Sequence, residues 1–427
     1  MMLTSIIERL RDKRILIAGF GREGRSSLRF MQKYLPDTEV AVADKNEMSL
    51  KEIDKNKYRV YYGDEYLSSA HHYDIVIKTP GIAMNADDVA PAVISSQTDL
   101  FIEAFHSQII GITGTKGKST TTSLIYHLLK NTYHNVVIAG NIGIPVFDCL
   151  DSIDDKTIIV YELSAHQLQY ITRSPHVGVL LNVFEEHLDH FITFENYKKA
   201  KLNVMRLMSD NDTAVVNSVF EDETNDNVNN IFFDRNDVSL DLEALPLKGE
   251  HNILNIKAAL CACQSMGITL DAMMPHLYTF QPLDHRLQFL GIYGGVKFYN
   301  DSISTIPQAT IAALMTLPKV DFLLLGGYDR GIDYSPLAEY LATNPVANVM
   351  ITGKAGSSIN NALELVSYKG NIISYNSMEE AFAVMKSMAR KDDVCLLSPA
   401  AASYDRYKNF EERGDKFKEL TMKFNID

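Results

Sequence analysis

The stretch Gly111-Ile-Thr-Gly-Thr-Lys-Gly-Lys-Ser119 lies between the aliphatic pair Ile109-Ile110 and the helical pattern Thr120-Thr-Thr-Ser-Leu-Ile-Tyr-His-Leu-Leu129. It constrains the fold more than any other segment, because it reads as strand, glycine-rich loop and helix. Such a loop wraps polyphosphate: glycines let backbone N–H groups converge, the helix N-terminus adds positive potential, a lysine supplies a point charge and a hydroxyl serves Mg²⁺. Gly114, Thr115, Lys116, Gly117, Lys118, Ser119 and Thr120 are therefore expected to hold ATP, with Lys118 at the phosphates and Ser119 at Mg²⁺. The match to G-x-x-x-x-G-K-[ST] is imperfect, since Ile112 stands where the first glycine belongs. A turn that only caps a helix is the plainer alternative, but Lys118 and Ser119 follow the last glycine in the required order.

The length of 427 residues suggests three domains at roughly 150 residues each. Lysine and arginine number 41 against 54 acidic residues, a net charge of −13 with no basic block. The electrostatic footprint of a nucleic-acid binder is thus missing. Cys149, Cys261, Cys263 and Cys395 have neither disulfide-framework nor zinc-finger spacing and are expected to be reduced core residues. No apolar run is long enough for a membrane span, and the N-terminus lacks the pattern of a secretion signal. The expectation is a cytoplasmic monomer acting on small molecules, without membrane insertion.

Taken in order, Arg14-Ile-Leu-Ile-Ala18 reads as a buried strand opening onto Gly19-Phe-Gly21-Arg22-Glu-Gly24, a G-x-G-x-x-G turn. The strand Glu39-Val-Ala-Val-Ala43 ends at Asp44, about 20 positions on, where a carboxylate would hold ribose hydroxyls. The strand Asp74-Ile-Val-Ile-Lys78 ends in Thr79-Pro80-Gly81. A nicotinamide cofactor, and hence a dehydrogenase, and another nucleotide both fit this mouth. Beyond the phosphate loop, strands end in Gly140-Asn141-Ile-Gly, Glu162-Leu-Ser-Ala-His-Gln167 and Asn182-Val-Phe-Glu-Glu-His187. Ligands of open α/β sheets bind at the carboxyl ends of strands, so Asn141, Glu162, Asn182 and His187 are expected to converge on the phosphates. Glu162 is the natural Mg²⁺ ligand, although it could instead cap a helix, and His187 could be a core residue. Of Lys198, Lys199 and Lys201, one could turn inward. Residues 221–230 read as an acidic loop. His251 and Asn252 precede an apolar helix from Ile256 and either cap it or reach a base. From Gln281 the strand pattern restarts, and Arg286 and Arg330 are the cations best suited to phosphate or carboxylate.

In this order, TGTKGKST, GNIGIP, ELSAHQL, LNVFEEHLDH, YKKAKL, GEHNILN, DHR, NDS, LLGG and LLSPAAASYDRYKNFEERG resemble the glutamate-adding branch of the Mur ligase family over almost the whole chain. The resemblance implies three α/β domains: a Rossmann-like domain at 1–105 for a UDP substrate, a P-loop-type ATPase domain at 106–282 and a Rossmann-like amino-acid domain at 283–427. It implies a ligase that uses ATP and Mg²⁺ to join glutamate to UDP-N-acetylmuramoyl-L-alanine through an acyl phosphate. Lys118, Glu162, His187 and Lys201 would be catalytic, with Ser119, Glu162, His187 and a carbamylated Lys201 as metal ligands. Asn252, Arg286 and Asp301 would complete the ATP site. Gly19, Gly21, Arg22, Gly24, Asp44, Thr79, Pro80, Gly81 and Asn141 would hold the UDP substrate. Thr305, Arg330, Ser403, Tyr404 and Phe410 would take the amino acid. Ile303 replaces the lysine of the common NDSKAT pattern, and Arg330 stands where GGDGK has its lysine, so D-glutamate is the expected incoming amino acid with L-glutamate as the alternative. A folylpolyglutamate-synthase-like ligase would lack the first domain.

Overall fold

The computed structural model describes residues 2–133, 135–140, 144–186, 188–247, 249–281 and 284–426, apart from the side chain of Asp189. Asn141 and His187 thus lie outside the described residues. Two compact units make up the chain, Met1–Phe280 and Gln281–Asp427.

The first unit carries two parallel sheets. One contains β1 (Ile15–Ala18), β2 (Val40–Asp44), β3 (Arg59–Tyr62), β4 (Ile75–Lys78) and β5 (Val93–Ser95) in the order β3-β2-β1-β4-β5. The other contains β6 (Ile109–Thr113), β7 (Val136–Gly140), β8 (Ile158–Glu162), β9 (Val177–Leu180), β10 (Thr213–Val216) and β11 (Asn229–Phe232) in the order β11-β10-β9-β6-β8-β7. Every residue of β1, β4, β6, β8, β9 and β10 is buried. Helices therefore cover both faces, as continuous aliphatic runs require of parallel strands. Strand order reverses around β1 in one sheet and β6 in the other, which opens a crevice at each carboxyl edge.

These two sheets share a core. Phe30, from helix Arg22–Tyr34, stacks on Phe147 of the second sheet's layer with ring centroids 4.3 Å apart. The buried Thr98 hydroxyl lies 2.8 Å from that of Tyr161 on β8. Asp99 receives Thr172 N–H at 2.8 Å and its hydroxyl at 2.7 Å.

Two local readings are corrected. Residues 221–230 are not one loop, because a short 3₁₀ helix occupies Ser218–Glu223 and β11 begins at Asn229. Backbone pairing of Asn229 with Thr213 recruits this polar edge strand, a tertiary effect that its side chains do not announce. The apolar helix starts earlier than Ile256, spanning Glu250–Ser265 after Gly249 at φ +93°, so His251 and Asn252 stand in its first turn.

The second unit has one sheet of β12 (Gln288–Tyr293), β13 (Val296–Asn300), β14 (Phe322–Gly326), β15 (Asn348–Thr352), β16 (Asn371–Ser374) and β17 (Val394–Leu397) in the order β12-β13-β17-β14-β15-β16. Only β12 runs antiparallel, as an edge hairpin with β13.

Candidate active site

The phosphate loop leaves β6 and enters helix Lys118–Thr132. Gly117 has φ +85°, and a Cβ there would sit 2.4 Å from Asn255 Oδ1, so both backbone sign and space demand glycine. Asn182 clamps the loop from the end of β9: its Oδ1 accepts Lys116 N–H at 2.9 Å, its Nδ2 donates to Lys116 O at 3.0 Å, and its own carbonyl accepts Thr115 N–H at 2.9 Å. Thr115 Oγ1 accepts Phe184 N–H at 2.9 Å and lies 3.1 Å from the Tyr197 hydroxyl. Asn255 had no expected role, and its closeness to Gly117 arises only through tertiary packing.

Lys118 Nζ donates to Gly114 O and Thr115 O, each at 3.0 Å. Lys201 Nζ reaches the same Gly114 O at 2.8 Å from helix Phe194–Arg206 and stands 4.8 Å from the Tyr197 ring. Burial, reinforced by the Lys118 charge, holds Lys201 well below the ordinary lysine range. Of the three candidate lysines it alone turns inward, since Lys198 pairs with Glu223 at 2.7 Å and Lys199 is exposed. Ser119 and Thr120 are buried at the helix start. Glu162 is fully buried at the carboxyl end of β8, in register with Ile112 and Gly140 of the flanking strands. It does not cap the following helix, because Ser164 does so by accepting Gln167 N–H at 3.3 Å.

The mouth of the first sheet is built around Gly19, whose φ is +91° and whose hypothetical Cβ would lie 2.0 Å from Thr79 Oγ1. The Gly19–Gly21 turn and the Thr79–Pro80–Gly81 turn are therefore apposed. Gly24 lies against Gly19 O in the first turn of helix Arg22–Tyr34. Asp44 closes the turn by accepting Phe20 N–H at 2.7 Å and Asn46 N–H at 2.8 Å, and each of its oxygens keeps further lone-pair capacity. Two contacts carry this mouth to the second sheet: Arg22 Nη2 donates to Gly140 O at 3.4 Å, and Gln167 Nε2 donates to Glu23 Oε1 at 2.9 Å. Lys78, also without an expected role, is buried at the end of β4, and burial lowers its ammonium to about 8 against the opposing charge of Glu23.

Asn252 Oδ1 accepts Asn255 Nδ2 at 3.1 Å, which puts it one contact from the phosphate loop. In the second unit, Asp301 accepts Leu287 N–H at 3.0 Å and the Ser398 hydroxyl at 2.7 Å, so it shapes the turn that presents Arg286. Burial pushes the Asp301 carboxyl up to about 6. Arg330 Nη2 donates to Thr305 O at 2.9 Å, which brings those two together. Ser403 is buried, Tyr404 is 67% exposed, and Phe410 O accepts the Ser302 hydroxyl at 2.8 Å. All five follow the carboxyl ends of the adjacent strands β13, β17 and β14. The buried Arg413 ties their loops by donating to Ser302 Oγ, Ser302 O and Ala401 O at 3.0, 2.8 and 3.1 Å, a role hidden within an acidic helical segment.

Residues 112–244 match the family described as Mur ligase middle domain, and residues 285–401 match Mur ligase, glutamate ligase domain. The chain is 33% identical to the UDP-N-acetylmuramoylalanine–D-glutamate ligase of Clostridium botulinum (strain Kyoto / Type A2), over 96% of this chain and 97% of that protein. It is 34% identical to the enzyme of the same name from Symbiobacterium thermophilum, over 84% of this chain and 86% of that one. Among solved structures, MurF ligase from Thermotoga maritima in complex with ADP aligns with a TM-score of 0.58 at 20% identity, covering 99% of both chains. UDP-N-acetylmuramate-alanine ligase MurC from the same organism aligns at 0.58 and 18% identity, over 96% of this chain and 99% of that one. At those identities the two structures speak for the fold.

Proposed function

This chain belongs to the Mur ligase family, and from that premise we propose that it is an ATP-dependent ligase joining D-glutamate to UDP-N-acetylmuramoyl-L-alanine in peptidoglycan precursor synthesis. The reading assigns the UDP substrate to residues 1–105, ATP to 106–282 and the amino acid to 283–427, in a cytoplasmic monomer. Among the described residues, no helix is long and apolar enough to cross a membrane. The observation that carries the reading is the meeting of Lys118 and Lys201 at Gly114 O, within a glycine loop braced by Asn182, packed close to Asn255 and flanked by the buried Glu162.

The chemistry has two steps. A substrate carboxylate oxygen attacks the γ-phosphorus of ATP, ADP leaves, and an acyl phosphate forms. The glutamate amine then attacks the acyl carbon, phosphate leaves, and the nitrogen sheds a proton to give the amide. Lys118 exchanges its carbonyl partners for phosphate oxygens and stabilises charge on the transferred group, while the loop N–H groups orient it. The buried Glu162 carboxylate and the Ser119 hydroxyl form a hard-oxygen donor set that suits Mg²⁺ beside phosphate. When bound, that ion neutralises phosphate charge. The depressed proton affinity of Lys201 favours the neutral amine, which would add to the carbon of CO₂ and release one proton to solvent, and the carbamate so formed would offer anionic oxygens where an ammonium would repel a metal. Arg330 grips one glutamate carboxylate, and the Ser403 segment takes the other through its hydroxyl and N–H groups.

ADP release by purified protein with UDP-N-acetylmuramoyl-L-alanine and either D- or L-glutamate, with chiral analysis of the amide product, tests the reading. D-glutamate incorporation is expected. Exclusive use of the L form overturns the stereochemical assignment, and acceptance of lysine or diaminopimelate in place of both overturns the glutamate assignment.

A further inference from the structure

At the edge of the second sheet opposite the phosphate loop, three residues that immediately precede or closely approach strand starts come together. His106 opens the short turn before β6, His176 directly precedes β9, and Asp212 directly precedes β10. These strands are neighbours in the order β10-β9-β6. The backbone holds them in place, with His176 N–H donating to His106 O at 3.3 Å and Thr213 N–H donating to His176 O at 2.8 Å.

The side chains converge on one oxygen. Asp212 Oδ1 lies 3.0 Å from His106 Nε2 and 3.0 Å from His176 Nδ1. One ligating atom from each of the three lies within 4.8 Å of the others. Asp212 Oδ2 is anchored separately, accepting Ser209 N–H at 2.8 Å and its hydroxyl at 3.0 Å, so Oδ1 is held toward the imidazoles. Asp212 is 1% exposed and His106 9%. His106 Nε2 faces the carboxylate at 3.0 Å, so the two imidazoles share the single oxygen Oδ1. Two imidazole nitrogens and one fixed carboxylate oxygen, each able to offer a lone pair toward the others within 4.8 Å, form a compact set of metal-ligand atoms. His176 is partly exposed, which leaves one side of the cluster open to solvent.

We propose that His106 Nε2, His176 Nδ1 and Asp212 Oδ1 bind one divalent transition-metal ion of the zinc class, with a fourth position open to water beside His176. Two imidazoles and a carboxylate suit a borderline ion that accepts tetrahedral geometry, and they are a poor set for Mg²⁺, which prefers all-oxygen octahedra. The ion pins the amino ends of β6, β9 and β10. The five residues of β6 separate it from the phosphate loop by about 17 Å, so this site is distinct from the one that serves ATP.

Zinc titration of the metal-stripped full-length protein, followed by calorimetry and thermal melting, tests the proposal. Wild-type protein is expected to take up one equivalent that raises its melting temperature, and His176→Gln and Asp212→Asn are expected to weaken that uptake by at least about tenfold. His176→Gln should melt near wild type without zinc, because its side chain is partly exposed. Cobalt(II) added to wild type gives a reading independent of any variant: intense visible bands of a four-coordinate ion with histidine ligands are expected. Zinc uptake of equal affinity and stoichiometry in wild type and both variants overturns the site, as does a weak octahedral cobalt spectrum.

Discussion

Lys118 and Lys201 donate to the same carbonyl oxygen, that of Gly114, and this shared acceptor sets the expectations for each. Lys118 keeps a charge for phosphate, so Lys118→Ala should lower ADP release by at least about a hundredfold in a folded protein. Lys201 is desolvated, and Lys201→Ala should be nearly inactive, with partial recovery on adding short carboxylates, whereas Lys198→Ala and Lys199→Ala should be mild in the same assay. Arg330 is exposed and holds only the Thr305 carbonyl among the bonds described, so Arg330→Ala should raise the glutamate KM by roughly 30- to 100-fold with little change in the ATP KM. Asp301 makes a pH prediction. Its folded carboxyl titrates near 6 against an ordinary value of 3.8, so the folded state holds a proton that the unfolded chain has lost. Stability from this group is therefore present below the ordinary value and lost as pH rises through 6, a change on the order of 3 kcal/mol. Urea unfolding between pH 4 and 7 should show that slope in wild type and a flatter one in Asp301→Asn.

At the scale of elements, the phosphate loop is braced by the segment that follows β9. Asn182→Ala removes both hydrogen bonds to Lys116 and should cost about 1 kcal/mol per bond in loop order, read as a rise in ATP KM with the fold retained by circular dichroism. The loop itself was legible in the sequence, because glycine spacing and a Lys-Ser pair report backbone geometry directly. So were the buried strands, whose aliphatic runs announce burial on both faces. The polar edge strand β11 and the short β5 and β16 were not, since their pairing is imposed by neighbours. Asn255, Lys78 and Arg413 were likewise hidden, because their roles arise from contacts between segments distant in sequence. His106, His176 and Asp212 lie 70 and 36 positions apart in sequence, and only the strand order brings them together. The choice among Lys198, Lys199 and Lys201 needed the orientation of helix Phe194–Arg206, which charge pattern alone does not supply.

At the scale of the molecule, the first two sheets behave as one body. Phe147 is buried against Phe30, so Phe147→Ala should cost about 3 kcal/mol and raise hydrogen exchange in residues 1–105 and 106–280 together, leaving Gln281–Asp427 less affected. Exchange confined to one of the first two segments would contradict a common core. That core turns the first unit into a ruler. The mouth around Gly19 and the loop around Lys118 belong to one packed unit, so on the proposed assignment a substrate gripped by its nucleotide end would be gauged along its length. One added amino-acid residue extends a chain by up to about 3.5 Å, enough to carry a terminal carboxylate past the phosphoryl donor. On the proposed assignment, selection of an acceptor with a single amino acid attached would reside in the packing between the first two sheets, far from any group that touches the carboxylate.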